Sequence, residues 1–287
     1  MKGTPYQILL VGNFTLDVKE GGNVPGGSVF YSGCAAQALG FDVRIVSAVG
    51  PGFPLDEALK QLSCEVSLVE AGETTTFRNV YRGSAREQFL CADGGAIPKD
   101  ALPAGWGNED IVLLCPVYSE LRSGLEASVR GRLTGASLQG WLRTTRDGGR
   151  VVPRVDSEFL AGLDGVDVLF YSEEDVAHHP ELGVQFRSAA DVVVETRGPG
   201  GAAVWLRGSQ THVPGYPVKE LDPTGAGDTF AAAFLVHYSV QRDALAAADF
   251  ACRICSVQVG LCGPLTRDAL VGNPVFEEWI SQVKARR

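Results

Sequence analysis

The segment ELDPTGAGDTFAAAF carries the strongest chemical signal in this 287-residue chain. Gly225, Ala226 and Gly227 leave the backbone of a turn uncovered, and Asp228 follows at the start of a predicted helix. Free amides at a glycine-rich helix start form an anion hole that stabilises a phosphoryl group. The carboxylate would repel a static phosphate but can accept a proton from an attacking hydroxyl. Taken alone, Asp228 is equally well explained as a helix cap.

A second glycine pair lies near the amino end, where Gly26 and Gly27 precede a predicted helix. The preceding strand end carries Asn13, Thr15 and Asp17, which the strand period of two places on one face. Amide, hydroxyl and carboxylate groups in that arrangement suit the binding of several hydroxyls of one molecule. Without other support, the glycine pair is more typical of an ordinary turn.

These chemical groups need a scaffold, and short apolar runs alternate with helical patterns along the chain. The runs predict buried parallel strands at 8–11, 44–46, 111–114, 168–171, 192–195 and 202–206. Helices are predicted at 28–39, 55–62, 228–240, 243–259 and 274–284, each long enough to cross back over a sheet. The expected fold class is α/β, a doubly wound three-layer sandwich with a mostly parallel central sheet.

Two stretches interrupt this alternation, at approximately residues 14–25 and 73–93. The second contains TTTFRNVYRG and REQFLC, which predict paired antiparallel strands around a turn. We expect the two stretches to form a small β-sheet lid that projects from the main sheet, and an exposed lid also predicts a homodimer. Because there is no repeat and no long linker, a single domain spanning residues 1–287 is expected.

Composition and charge argue against several classes of partner. Twenty-five Lys and Arg against 34 Asp and Glu leave a formal net charge of −9, which opposes binding to nucleic acid or anionic membrane. No run approaches the ~20 apolar residues that span a bilayer, and the amino end lacks a signal-peptide pattern. The seven cysteines lie mostly in apolar runs, which is typical of reduced thiols. We therefore expect a cytoplasmic protein.

Together these segments resemble the ribokinase (PfkB) family of carbohydrate and nucleoside kinases. The run DPTGAGD at 222–228 is similar to nearly all of the family's carboxy-terminal signature. VGNFTLDV resembles its first strand, the double glycine at 26–27 its amino-terminal motif, and VVVETRGPGGAAVW its nucleotide-side strand. The resemblance covers most of the chain, from about residue 8 to residue 264. It implies a ribokinase-like fold with a β-sheet lid, and ATP-dependent phosphorylation of an alcohol with Mg²⁺ and often K⁺.

The resemblance also implies roles for individual residues. Asp228 would be the catalytic base, and Gly225, Ala226 and Gly227 would form the anion hole. Asp17 and the amides of the double glycine at 26–27 would hold the hydroxyls of a small sugar or polyol.

Other matched positions concern the donor and its ions. Thr196, Gly198 and Gly201 fit the family's T-x-G-x-x-G pattern on the nucleotide side, together with the glycines of the anion hole. Asp222 would lie near the monovalent cation.

Three positions depart from the family pattern. Tyr31 stands where the family usually carries Asn, so the substrate pocket gains a phenol in place of an amide. Where the family has N-x-x-E, this chain has Ser172 and Asp175 at the two outer positions. Ser172 would then lie on the nucleotide side, and Asp175 would hold Mg²⁺ through water. Gln139 replaces an acidic residue near the substrate. Because QG-x-x-R, from Gln139 to Arg143, is similar to the branch that contains inositol kinases, myo-inositol is the first acceptor to consider.

Two other functions stay open at this stage: a nucleoside kinase of the same family, and a non-catalytic regulatory member that binds sugar or nucleotide. The chain has no G-x-x-x-x-G-K-[ST] run, so a P-loop enzyme is excluded. Gly198 to Ala203 fits G-x-G-x-x-A formally, but AAVWL after it predicts a strand rather than the helix of a dinucleotide site.

Overall fold

The computed structural model describes residues 6–82, 85–122 and 124–286 and arranges them as alternating strands and helices. The strands are β1 Gln7–Val11, β2 Thr15–Lys19, β3 Gly22–Gly26, β4 Asp42–Val49, β5 Cys64–Glu70, β6 Thr76–Arg82, β7 Ala85–Ala92, β8 Ile111–Leu114, β9 Thr134–Ser137, β10 Arg143–Arg146, β11 Arg150–Pro153, β12 Val168–Ser172, β13 Val192–Thr196, β14 Ala202–Leu206 and β15 Ser209–Val213. The helices are α1 Ser28–Ala38, α2 Leu55–Gln61, α3 Leu125–Ser128, α4 Glu173–Val176, α5 Pro180–Phe186, α6 Ala226–Gln241, α7 Ala244–Gln258, α8 Arg267–Leu270 and α9 Pro274–Arg286.

The larger sheet is mostly parallel, with the strand order β15-β14-β13-β12-β9-β8-β1-β4-β5 among the described residues. Strands from β13 to β5 in that order pair in parallel, as the apolar runs predicted. The prediction of a parallel strand at 202–206 was wrong, because β14 runs antiparallel to β13. The connection at 197–201 is too short for a crossover, which needs a dozen or more residues.

Helices cover both faces of this sheet. Ile8 and Leu10 of β1 point to one face and share a core with Phe234 of α6 and Trp279 of α9. Leu9 and Val11 point to the other face, into a second core that includes residues of α3 and α5. Alternate residues of one buried strand therefore belong to two cores, and the result is a three-layer α/β sandwich.

The smaller sheet has the order β10-β11-β7-β6-β2-β3 within the described part of the chain. Its strands β2 and β3 fall almost wholly within 14–25, and β6 and β7 lie within 73–93, whose turn at 83–84 is outside the described residues. The hairpin of β10 and β11 was not predicted. Its strands, RTTR and RVVP, are four residues long and lack an apolar alternation, so the sequence gives little signal for them.

None of the helices in the described ranges is both long and apolar enough to cross a membrane.

Candidate active site

A cleft of about 200 Å³ opens between the smaller sheet and the start of α6. It is lined by residues from both ends of the chain, including Thr15 and Asp17 of β2, Arg143 of β10 and Asp228 of α6. The predicted site residues that the structure brings together here are Thr15, Asp17, Gly27, Tyr31, Gln139, Ser172, Asp175, Thr196, Gly225, Ala226, Gly227 and Asp228.

The start of α6 forms the floor of this cleft. Gly225 is the cap residue, in the left-handed conformation with φ of 77°, and the helix begins at Ala226. Asp228 lies in the first turn, and no side chain caps the helix, so the interpretation of Asp228 as a helix cap is wrong. Amides in the first turn of a helix lack acceptors within the helix. Here the Ala226 amide donates to the Pro223 carbonyl at 3.1 Å, which leaves the amides of Gly227 and Asp228 as donors where the cleft is lined by 225–228.

The environment of Asp228 shifts its proton affinity. Burial raises the pKa of this carboxyl from 3.8 to about 6. A hydrogen bond from the Ser28 side chain and the positive charge of Arg143 both lower the pKa, but they only partly offset the effect of burial. A carboxylate with a pKa near 6 is mostly ionised at pH 7 and is a stronger base than a solvated aspartate. Asp228 is therefore suited to accept a proton inside the cleft.

The hairpin of β2 and β3 sets the position of the polar groups opposite Asp228. Thr15 pairs with Gly26 across the two strands. A Cβ on Gly26 would lie 2.7 Å from Asp17 Oδ2 and 3.2 Å from Thr15 Oγ1, so a larger residue here would displace the Asp17 carboxylate. Gly26 thus supports the cleft without lining it.

Asn13 does not reach the cleft, although it was predicted beside Thr15 and Asp17. Its side chain is buried, accepts a hydrogen bond from the Ala48 amide at 2.8 Å and donates to the Gly95 carbonyl at 3.4 Å. The period of two fails here because β1 ends at Val11 and β2 begins only at Thr15. Asn13 lies in the break and joins neighbouring segments of the scaffold.

A second cavity, of about 440 Å³, lies on the other side of the α6 turn. Thr196, Ala226 and Gly227 line both spaces. Gly198 and Gly201 line the second cavity but not the first. Most of the remaining wall of the second cavity is apolar and is formed by Pro199, Tyr216, Pro217, Val218, Phe230 and Val259.

Two thiols complete the wall of the second cavity. Burial raises the pKa of Cys252 to about 12 and that of Cys255 well above its usual value, so both stay protonated. Among the described residues, no group of three or more His, Cys, Asp or Glu side chains is arranged to hold a metal ion.

Asp175 belongs to a capping box at the start of α4. Its Oδ2 accepts a hydrogen bond from the Ser172 amide at 2.8 Å, and its own amide donates to Ser172 Oγ at 3.2 Å. The carboxylate also lines the cleft. A single carboxylate with water and donor phosphates is a usual set for Mg²⁺, so Asp175 fits that ion.

Asp222 supports the turn before α6 and lines neither cavity. Its Oδ1 accepts a hydrogen bond from the Thr224 amide at 2.9 Å. Hard cations are coordinated by carboxylate and carbonyl oxygens, which this turn provides. Asp222 therefore fits a monovalent cation beside the anion hole.

Arg143 lines the cleft, although it was not predicted as a site residue. Its Nη1 donates to the Val117 carbonyl at 3.1 Å, and its guanidinium lies 5.6 Å above the ring of Phe77. Burial raises the pKa of both Asp175 and Asp228, and the positive charge of Arg143 partly offsets that shift at each, so Arg143 lies near both carboxylates in this cleft. The QG-x-x-R segment contained this signal. Phe77 was expected as an apolar residue of the lid and lines the cleft, whereas Gln88 had no comparable signal.

Comparison with known proteins identifies the family of this chain. The model of the pfkB family carbohydrate kinases matches residues 10–266. An inositol 3-kinase from Zea mays is 25% identical over 265 residues, covering 81% of this chain and 67% of the relative. A cytidine kinase from Thermococcus kodakarensis is 26% identical over 266 residues, covering 82% of this chain and 89% of the relative.

Among solved structures, a pyrophosphate-dependent kinase of the ribokinase family, complexed with a pyrophosphate analog and myo-inositol, superposes with a TM-score of 0.77. It is 23% identical and the match covers 92% of this chain and 99% of that one. The expected ribokinase-like α/β fold with a second, smaller sheet is confirmed. The family match covers most of the chain and confirms a phosphotransferase with an alcohol group as acceptor. This chain belongs to the pfkB family of carbohydrate kinases.

Proposed function

We propose that this kinase transfers the γ-phosphoryl group of ATP to a hydroxyl of a small cyclic polyol such as myo-inositol, with Asp228 as the general base. The observation that carries the proposal is the position of Asp228 at the α6 start, where Ala226 and Gly227 form a common wall of the two cavities. An acceptor in the first cavity and a donor in the second would meet at this common wall, beside the Gly227 amide.

The first cavity supports a small polar acceptor. Its volume of about 200 Å³ is below the roughly 300–1,000 Å³ of sites for drug-sized ligands. Thr15, Asp17 and Gln88 offer a hydroxyl, a carboxylate and an amide, which suit several hydroxyls on one ring. The inositol 3-kinase relative and the neighbour complexed with myo-inositol favour a cyclic polyol.

The second cavity supports a nucleotide donor. Pyrophosphate has no apolar part and would leave a 440 Å³ space with apolar walls empty. A nucleobase has the size and the apolar faces that such a space takes. ATP is therefore the donor we propose, although the neighbour with a TM-score of 0.77 is a pyrophosphate-dependent kinase.

The chemistry follows from the residues around the α6 turn. Asp17 and Thr15 orient the acceptor, Asp228 takes the proton of the attacking hydroxyl, and the first amides of α6 stabilise the charge of the transferring phosphoryl group. Arg143 adds a positive charge from the lid side. Mg²⁺, held through water by Asp175, would neutralise charge on the donor phosphates, and K⁺ would lie by Asp222.

A nucleoside is the second candidate acceptor. The cytidine kinase relative is 26% identical, and Tyr31, Phe77 and Phe170 line the first cavity with aromatic rings that offer stacking surfaces for a base. A nucleoside is larger than a cyclic polyol, so the small cleft of about 200 Å³ favours the polyol.

The test is phosphoryl transfer from ATP, with Mg²⁺ and with or without K⁺, to a panel of inositols, hexoses, pentoses, sugar acids and nucleosides. We expect turnover of a cyclic polyol by the wild-type chain and its loss in Asp228→Asn. Turnover of nucleosides alone would replace the acceptor that we propose. Binding of ATP with no transfer to any acceptor would favour a regulatory member instead.

We also propose a cytoplasmic location and a homodimer. All seven cysteines are free thiols, which supports a reducing compartment. β3 forms one end of the smaller sheet, and its exposed residues Gly22 and Asn23 leave an edge on which a second copy can pair. Sedimentation analysis of the full chain tests the dimer, and a monomer at micromolar concentration would remove it.

A further inference from the structure

We propose that Tyr31 is a positioning residue whose aromatic ring holds the anion-hole turn at Gly225 in its working conformation. The inference rests on the proposed function of that turn and adds a residue at which this chain departs from the family pattern. It assigns the effect to the ring, whereas the sequence suggested a substrate contact by the phenol.

The contact between Tyr31 and Gly225 is unusually close. A Cβ added to Gly225 would lie 2.2 Å from Tyr31 Cγ and 2.3 Å from Cδ1, so the ring rests directly on the Gly225 Cα. Gly225 also has a φ of 77°, which L side chains rarely adopt. The turn therefore cannot move towards α1 without displacing the ring.

The ring itself is held in place. Tyr31 is only 9% exposed, and its ring meets that of Phe30 edge to face with centroids 5.5 Å apart. The next residue of α1, Ser32, donates from its hydroxyl to the Asp228 carbonyl at 3.1 Å. Two consecutive residues of α1 thus contact the first turn of α6.

The opposite side of the turn is fixed by α7. Gln258, which is fully buried, donates from Nε2 to the Thr224 carbonyl at 2.9 Å. The Cys255 thiol donates to the Ala226 carbonyl at 3.4 Å. The carbonyls on either side of Gly225 are therefore bound to α7 while the Tyr31 ring covers Gly225 from α1.

This arrangement has a direct consequence for catalysis. An anion hole works because its donors are already in position when charge develops, and a displacement of about 1 Å can cost up to ~10²-fold in rate. Removing the ring leaves space into which Gly225 can move. Burial raises the pKa of the Tyr31 hydroxyl far above neutrality, so the hydroxyl is uncharged and adds no fixed charge to the hole.

The experiment compares full-length wild-type protein with Tyr31→Phe, Tyr31→Ala and the control Leu39→Ala. Leu39 is fully buried at the other end of α1 and controls for loss of stability. We expect Tyr31→Ala to lower kcat by about 10–100-fold at saturating donor and acceptor. Tyr31→Phe keeps the ring, so its kcat should fall much less than that of Tyr31→Ala. Leu39→Ala should lower Tm and leave kcat unchanged.

A binding measurement makes the result independent of the acceptor. Calorimetry with tripolyphosphate should show about tenfold weaker binding to Tyr31→Ala and little change for Tyr31→Phe. Equal affinities in all variants, or equal kcat losses in Phe and Ala, would overturn the positioning role. If the wild type phosphorylates no acceptor, the proposed function fails, and the tripolyphosphate affinities still decide the role of Tyr31.

Discussion

At the scale of single residues, the site depends on a carboxylate whose burial serves its chemistry at the expense of stability. Burial raises the pKa of Asp228 to about 6, and the Ser28 hydrogen bond and the Arg143 charge only partly lower it again. Its ionised form is the form that accepts a proton, and it is also the form that burial disfavours. Activity and stability should therefore respond to Asp228 in opposite directions.

The first prediction concerns activity. Asp228→Asn should lower kcat by about 10²–10⁴-fold, the usual contribution of a general base, while the affinity for ATP changes little. In the wild type, kcat/KM should fall about tenfold per pH unit below pH 6, where Asp228 becomes protonated. Initial rates between pH 5 and 8 check both results, and near-normal turnover in the variant would contradict the base assignment.

The second prediction concerns stability. The folded state binds the Asp228 proton more tightly than the unfolded state, so this group lowers stability as the pH rises from about 4 to about 6. Asp228→Asn should therefore raise the free energy of unfolding at pH 7 by about 1–3 kcal/mol. Urea unfolding at pH 7 and pH 4 measures the effect, which should nearly vanish at pH 4. A variant less stable than wild type at pH 7 would contradict the burial argument.

At the scale of elements, the cleft is closed by a strand that the sequence patterns did not reveal. β10 carries Arg143 at its first position and lies at one end of the described smaller sheet. α1, α6 and α7 were predicted to within two residues at each end, because their apolar content and glycine or aspartate starts are strong signals. β10 has no such signal, and it is specified by its pairing with β11.

The third prediction tests this strand. Arg143→Met should lower kcat/KM by about 10–100-fold, since it removes a positive charge near Asp175 and Asp228 in the cleft where we propose that the acceptor binds. Arg146→Met changes an exposed residue at the other end of β10 and should leave kcat/KM within about twofold. Steady-state kinetics of the two variants provide the comparison. Equal losses in both would attribute the effect to the strand rather than to the Arg143 charge.

At the scale of the whole molecule, the two cavities are formed by segments that are far apart in the chain. Asp17 and Asp228 line one cleft although 211 positions separate them, and α6 contributes to both spaces. A ligand in the first cavity therefore joins the large sheet, the small sheet and α6, whereas a ligand in the second joins the large sheet to α6 and α7. Binding should stabilise the whole fold, by an amount that depends on how fully the cavity is occupied.

The fourth prediction separates the two phosphoryl donors. ATP at about 100 times its Kd should stabilise the folded state by ~2.7 kcal/mol and raise Tm by several degrees. Pyrophosphate at the same concentration should raise Tm by less, because it leaves the apolar part of the 440 Å³ cavity empty. Thermal unfolding with Mg²⁺ and each donor measures this. A larger shift with pyrophosphate would reverse the choice of donor.

The sequence by itself determined the family, the α/β class and the glycine-rich turn with Asp228 at the start of α6. These follow from local patterns, namely apolar periodicity and a glycine-rich turn before an aspartate, which need no knowledge of distant residues. Tertiary structure decided which polar groups reach the cleft. Asn13 turned into the scaffold, Arg143 entered from an unpredicted strand, and Tyr31 came to rest on Gly225. Such contacts join separate elements of the chain, 35 positions apart in the Asn13–Ala48 hydrogen bond and 194 apart at Tyr31 and Gly225, so they depend on how sheets and helices pack, and no local pattern encodes them.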